Sequence, residues 1–305
     1  MRTTRSLTAL AAVSALALLG AGCSTDPSGG KGSGKAAASC PGGKIRFGIE
    51  PYEDPAKLTP AYEVLAKALE SKLDCPVELK VVEDYSAEVL AMRNGQLEIA
   101  QFGPLGYVFA SEKANARALV SFADAKGALS TYTGGIWVPA DSPVKSLKDL
   151  KGKSLALSSP GSTSGDALPR YALKTTNVDK VKINYAGGHP EALLALTKGK
   201  VDAAEINSQQ LETAKAEGSF DPSEYRRIWT SSPIPNDPIT VSDRLDPKFQ
   251  DAVKKALLDL EPDAVAEVGA FLDINPPGPL VAVTKETYKP LFALASGLDL
   301  TEKDV

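Results

Sequence analysis

Residues Ser154-Leu155-Ala156-Leu157 run directly into Ser158-Ser159-Pro160-Gly161-Ser162-Thr163-Ser164-Gly165. The apolar lead-in reads as a strand over 154–158, and residues 167–173 read as a helix that tolerates Pro169 only near its first turn. The turn between them is built from glycine and hydroxyl residues. A helix start leaves N–H groups unpaired and carries a partial positive charge, so small residues there let an anion touch the backbone. Ser162, Thr163 and Ser164 add three hydroxyl donors. A plain helix cap needs one hydroxyl; three in a row between Gly161 and Gly165 point to an oxyanion site. Each hydrogen bond to a charged group is worth about 1.5–3 kcal/mol, against about 0.3–1 kcal/mol for the helix dipole. The aimed donors decide the matter.

Outward from this turn the strand–helix rhythm repeats. Residues 45–49, 77–82, 97–102 and 118–122 read as strands, with helices over 61–73, 87–94 and from Pro104 to Ala110. Tyr62, Leu65, Ala66 and Leu69 share one face of the first helix. Residues 134–139 read as a connecting strand into a second run, with strands over 182–186 and 201–206 and helices over 190–198 and 209–216. Strands over 227–230 and 239–242 lead back, and further helices follow from Pro247. This alternation predicts an α/β fold of two mainly parallel-sheet lobes joined by two strand crossings, a bilobed clamshell. Lobe 1 is expected over 44–133 and 235–305, and lobe 2 over 134–234.

The amino terminus sets the compartment. Arg2 and Arg5 precede an uncharged apolar stretch from Leu7 to Leu19, too short for a comfortable membrane span but right for a signal-peptide core. Gly20-Ala21-Gly22 then lead to Cys23. This resembles a bacterial lipoprotein signal over 1–22, with Cys23 as the lipidated first residue, although Gly20 stands where that pattern usually has leucine. An ordinary secretory signal is the alternative, and both export the chain. Residues 23–43 are rich in Gly, Ser, Ala and Lys and read as a flexible tether. Cys40 and Cys75 make an even pair outside the cytoplasm. Each precedes an expected strand by a few residues; if those strands are parallel neighbours, a disulfide is geometrically reasonable and contributes about 3–4 kcal/mol.

Removing the leader takes Arg2 and Arg5, so 34 less 2 basic residues face 38 acidic ones, a net charge of −6. With no basic run and no aromatic platform, nucleic acid is not an expected partner. Net charge does not exclude an anionic ligand, because charges beyond a Debye length of about 8 Å are largely screened.

A second turn, Gly187-Gly188-His189-Pro190-Glu191, also follows a strand, with Pro190 suited to the first helical position. His189 is the only histidine in the chain. A lone histidine is commonly a surface or capping residue, but here two glycines put it at a strand carboxyl end, where open α/β sheets bind ligands. Lobe 1 offers Asp84-Tyr85-Ser86 and Gln101-Phe102-Gly103-Pro104-Leu105-Gly106-Tyr107 at strand-to-helix turns. Ser232-Pro233-Ile234-Pro235-Asn236-Asp237-Pro238 adds a stiffened acid on the hinge side. Tyrosine hydroxyls can donate to an oxyanion while their rings exclude water, though any of these tyrosines could be core; Tyr107, among apolar neighbours, reads as core.

Taken in order, Asp84-Tyr85, Gly103–Tyr107, Ser162–Gly165, Pro169-Arg170-Tyr171, Gly187-Gly188-His189 and Pro235–Pro238 resemble the phosphonate- and phosphite-binding proteins of ABC importers. These have the type II periplasmic-binding-protein fold, and the likeness covers Ile45 to at least Pro238. The resemblance implies that Tyr85, Tyr132, Ser162, Thr163, Ser164, His189 and Asp237 hold the ligand. It also implies a small phosphorus oxyanion as cargo, ABC permease subunits with a cytoplasmic ATPase as partners, a monomer held to the membrane by its lipid anchor, and no cofactor. Asp237 bears on selectivity, since a carboxylate beside an anion repels it unless a proton lies between them. A ligand with a P–OH or an amine can donate to Asp237; fully ionised sulfate cannot. Relatives that bind aminoalkyl phosphonates use a further acid in the segment that here reads Asn207-Ser208-Gln209-Gln210, with Glu205 nearby. Neutrality there favours phosphite, phosphate or a simple alkyl phosphonate.

Two other classes compete. Gly161–Gly165 has the outline of a nucleophile elbow, but its middle residue is Thr163, and His189 precedes Asp237, unlike the hydrolase order of nucleophile, acid, histidine. One histidine and no free cysteine pair leave no metal cluster. An enzyme is therefore not expected. A clamshell that signals to a membrane partner instead of delivering cargo is compatible with the same motifs.

Overall fold

The computed structural model describes residues 40–301 and 304. The expected leader, lipidation at Cys23 and tether residues 24–39 lie outside the described residues. The strands are β1 (Ile45–Ile49), β2 (Val77–Val81), β3 (Ile99–Gln101), β4 (Arg117–Phe122), β5 (Thr131–Tyr132), β6 (Gly135–Pro139), β7 (Ser154–Leu157), β8 (Lys182–Tyr185), β9 (Ala203–Glu205), β10 (Tyr225–Thr230), β11 (Ile234–Pro235), β12 (Ile239–Val241) and β13 (Leu280–Ala282). One sheet runs β13-β4-β12-β3-β1-β2 and a second β10-β6-β9-β7-β8. The fold is a bilobed α/β clamshell.

Each sheet has a parallel centre extended by antiparallel strands. β1 pairs in parallel with β2 and β3, and β7 with β8 and β9. The strands of opposite sense are those the chain forms after crossing. β6 enters the second lobe against β9, and β12 returns into the first against both β3 and β4. The crossings themselves are β5 and β11, which pair antiparallel with Tyr132 opposite Ile234. The connecting strand expected at 134–139 thus lies inside the second sheet, and the crossing comes just before it.

Helix α1 (Pro55–Leu73) buries Tyr62, Leu65, Ala66 and Leu69 on the face expected, against Ile45, Phe47 and Ile49. It begins six residues earlier than Ala61, because Asp54 caps it by accepting the Ala56 N–H at 2.9 Å and Pro60 is tolerated inside it. From the sequence that proline looks like a boundary. Among the described residues no helix is long and apolar enough to cross a membrane.

Parallel pairing of Ile45 with Val77 puts the starts of β1 and β2 side by side, and Cys40 and Cys75 are joined there with Cα atoms 5.3 Å apart. Cys40 packs against the lobe 1 core, and Pro41–Gly43 form a short 3-10 turn, so these residues of the expected tether are held to the body. Replacing both cysteines by serine is expected to cost about 3–4 kcal/mol from the loop-closure contribution. A denaturant titration checks this: the midpoint should fall, with a slope no shallower than the parent's, because the unfolded chain is freed to expand.

Candidate functional site

The lobe 2 contribution starts at the end of β7. Gly161 takes a positive φ of 86°, and residues Thr163–Ala167 form one wide π turn before α4 (Leu168–Thr175), so the helix opens four residues ahead of 167. Ser162, Thr163 and Ser164 are all buried. Ser162 Oγ accepts the Gly165 N–H at 3.1 Å, which is the cap, and lies 3.2 Å from His189 Nε2. Gly165 is required by close approach: a methyl there would collide with Ser158 and stand 2.8 Å from His189 Cε1.

His189 begins α5 (His189–Thr197) and is buried. Its Nδ1 stands 3.3 Å from Glu205 Oε2, out of line for a hydrogen bond. Glu205, at the end of β9, is fully buried and its oxygens accept no hydrogen bond among the described residues. It therefore backs the imidazole, leaving Nε2 to face Ser162 and Asn207, the latter at 3.4 Å. Asn207 caps α6 (Ser208–Ala216) by accepting the Gln210 N–H at 2.7 Å.

Lobe 1 meets this surface with two more helix starts. Tyr85 opens α2 (Tyr85–Arg93), capped by Asp84, and lines the chamber with Ser162. Gly103 precedes α3 (Pro104–Lys113), whose Leu105 N–H donates to Thr163 Oγ1 at 2.9 Å across the gap. Tyr132, on the crossing strand β5, lines the same chamber with Thr163. Tyr107, in contrast, packs edge-on against Tyr288 in the core.

Asp237 lies just after the second crossing. Its neighbour Asn236 is fixed from several sides: Gln209 Nε2 donates to its side-chain oxygen at 2.7 Å, its amide donates to Ser130 Oγ at 2.7 Å, and its carbonyl accepts from Tyr288 and Ser121. Gln101 Nε2 stands 3.4 Å from Asp237 Oδ2. Burial pushes the Asp237 carboxyl up to about 7. Burial likewise pushes Glu50 and Glu88 well above the ordinary range, reinforced for both by the charge of Asp237.

One chamber is lined by Glu50, Tyr52, Tyr85, Gly103, Tyr132, Ser162, Thr163, His189, Asn207, Gln209 and Asp237, with a volume of ≈ 20 Å³. Of the residues singled out from the sequence, Tyr85, Tyr132, Ser162, Thr163, His189 and Asp237 meet there. Ser164 sits one step back, its Oγ 3.5 Å from Asn207 Nδ2. Sequence reasoning passed over Glu50, Glu88 and the part played by Glu205. Glu50 had a signal, since it directly follows a central strand at its carboxyl end; Glu88 reads as one exposed helix position among others.

Fold and site together define a two-lobed solute-binding protein with a small, polar chamber at the hinge. The family model described as "ABC transporter, phosphonate, periplasmic substrate-binding protein" matches residues 47–288, and the chain belongs to that family. It is 29% identical over 216 residues to the "Phosphonates-binding periplasmic protein" of Escherichia coli, covering 68% of this chain and 64% of that one. It is 28% identical over 223 residues to the "Phosphate-import protein PhnD" of Mycolicibacterium smegmatis, covering 69% and 70%. The chain thus spans just under two thirds of the length of the Escherichia coli relative. PhnD1 from Prochlorococcus marinus in complex with methylphosphonate superposes with a TM-score of 0.74 at 19% identity, covering 85% of this chain and 99% of that one. The family's description is that of substrate-binding components of ABC transporters.

Glu88 is fully buried with neither carboxyl oxygen hydrogen-bonded. A raised folded-state pKa means the folded protein holds a proton that the unfolded chain releases, so this group's contribution to stability falls as pH rises above about 4.5. Glu88→Gln removes that dependence. Its melting temperature should exceed the parent's by about 2–4 °C or more at pH 8, for each kcal/mol gained, with the gap closing at pH 4. Thermal melts at the two pH values read both numbers.

Proposed function

We propose that the chain is a lipid-anchored, extracytoplasmic receptor that captures a small phosphorus oxyanion, such as phosphite, phosphate or a simple alkyl phosphonate, for an ABC importer. The observation that carries this reading is the convergence on one chamber of the Ser162-Thr163 turn and His189 from lobe 2 with Tyr85, Tyr132 and Asp237 from lobe 1. The family and the phosphate-import relative support it. The small chamber favours a compact ligand.

An oxyanion enters where the lobes now touch directly. Its oxygens take the hydroxyls of Tyr85 and Tyr132, which line the chamber, and the Leu105 N–H that Thr163 accepts. The ligand thereby replaces lobe-to-lobe hydrogen bonds with its own, binding both lobes at once. Opening and closing turn on the β5–β11 crossing, and the closed outer surface is what permease subunits read. Cys23 carries the lipid that keeps the body near them. Asp237 accepts the proton of a P–OH, which fully ionised sulfate does not carry.

Isothermal titration calorimetry tests the site. Thr163→Ala and His189→Ala should each weaken phosphite, phosphate or methylphosphonate binding by about 10- to 100-fold, the loss of one charge-assisted hydrogen bond, with melting curves close to the parent's. Unchanged affinity in both variants, or sulfate binding as tightly as phosphite, would sink the assignment.

A further inference from the structure

Gln101, the last residue of β3, pairs with Ile49 on one side and with Ile239 on the other. Glu50 directly follows Ile49, and Asp237 lies two residues before Ile239. Strand register therefore delivers two carboxyls to one sheet end, and both line the chamber. Glu50 accepts the Gly103 N–H, and a Cβ at Gly103 would lie 2.7 Å from Glu50 Oε2, so only glycine permits this seat. The Glu50 and Asp237 carboxyls thus stand in one chamber, and the charge of Asp237 works against ionising Glu50. Two carboxyl groups sharing a site resist being ionised together.

We propose that Glu50 is a specificity-determining, ligand-facing acid that shares protons with Asp237, so that the chamber takes up one proton with each fully ionised phosphorus oxyanion it admits. The inference rests on the oxyanion reading of the site. It follows from what surrounds the pair. Tyr52 and Glu53 face it from the loop after β1, Tyr62 from α1, Tyr85 and Glu88 from α2, and Tyr132 from β5. Gln101 and Tyr288 approach Asp237 from below. The one basic side chain in the chamber lining is His189, across the gap and engaged with the hydroxyl turn. Buried carboxyls without a counter-charge stay neutral by holding protons.

Burial holds Asp237 at about 7, and burial with the charge of Asp237 holds Glu50 well above the ordinary carboxyl range. Above pH 7 the resting pair then carries a negative charge on Asp237. A dianion arriving beside that charge raises its proton affinity. A proton from buffer moves onto Asp237 Oδ, which then donates to a ligand oxygen. Charge and protons balance, with one dianion and one proton bound together. A ligand bearing an ammonium group would do the reverse, neutralising the pair as carboxylates and releasing protons.

Calorimetry of the mature protein with phosphite at pH 8, in two buffers of different ionisation enthalpy, counts the protons. Uptake approaching one per phosphite is expected, with affinity falling about tenfold per pH unit above pH 8. Asp237→Asn should abolish the uptake. Glu50→Gln, checked for folding by its melting curve, should move the onset of the affinity loss to higher pH, because Asp237 loses the neighbouring acid that favours its ionised form; a merely structural Glu50 would leave that onset in place. Phosphite binding without proton uptake, or with the onset unmoved in Glu50→Gln, overturns this inference and leaves the oxyanion reading standing. Tighter binding of 2-aminoethylphosphonate with proton release overturns it in favour of an ammonium subsite. If phosphite, phosphate and methylphosphonate all fail to bind, both readings fall.

Discussion

Everything at the centre of this molecule answers to one electrostatic constraint: several helix starts face one another across a narrow gap. α2 and α3 open toward it from lobe 1, the π turn before α4 and the start of α5 from lobe 2. Each carries unpaired N–H groups and the positive end of a dipole. Like ends brought together repel unless something electron-rich sits between them. Within the protein that role falls to hydroxyl oxygens, with Thr163 Oγ1 accepting from Leu105 and Ser162 Oγ from Gly165. An anion fills the same role with full charge. The fold therefore stores, at its hinge, a preference for a small oxyanion over water.

The sheet topology explains why these ends converge. β1, β3 and β7 each finish at the cleft, and the return strand β12 starts there, beside Gln101. A crossing only two residues long on each side, Thr131–Tyr132 against Ile234–Pro235, leaves little slack between the lobes. Asn236 occupies the inner edge of that crossing and is bonded from both sides, by Gln209 of lobe 2 and by Ser130, Ser121 and Tyr288. The acid next to it is thus held by the hinge itself, so lobe position and the placement of Asp237 are one mechanical variable.

The lobes and the hydroxyl turn were legible in the sequence because they obey local rules. Alternating apolar strands and amphipathic helices give the α/β rhythm, and three hydroxyls between glycines need no tertiary information to read as an anion cradle. What resisted reading was tertiary. Pro60 looks like a helix boundary until Asp54 is seen capping α1 upstream of it. The short β5–β11 pair at the crossing went unread, because two residues on each side are too few to show a pattern. Glu205 gave no sign that it backs His189, since that contact joins β9 to the start of α5. Glu50 and Glu88 are invisible for a deeper reason. Charged residues are ordinarily exposed, and only the packed structure shows that these two point into the protein, Glu50 from the end of β1 and Glu88 from α2.

That pair of buried acids changes how the anion site is to be understood. A cradle of donors alone would accept any tetrahedral oxyanion of the right size, sulfate included. Setting Asp237 and Glu50 opposite the donors makes protons part of the recognition surface: the lobe 2 side demands negative charge while the lobe 1 side refuses it unless a proton comes too. Donors on one face and protonatable oxygens on the other suit an anion whose own oxygens can hold a proton near neutral pH. Phosphorus oxyacids have that property and sulfate lacks it. The cost is visible in the structure as Glu88, a carboxyl buried beside the pair without a hydrogen bond, since a pocket kept free of lysine and arginine on its acidic side has nothing to spend on neutralising it.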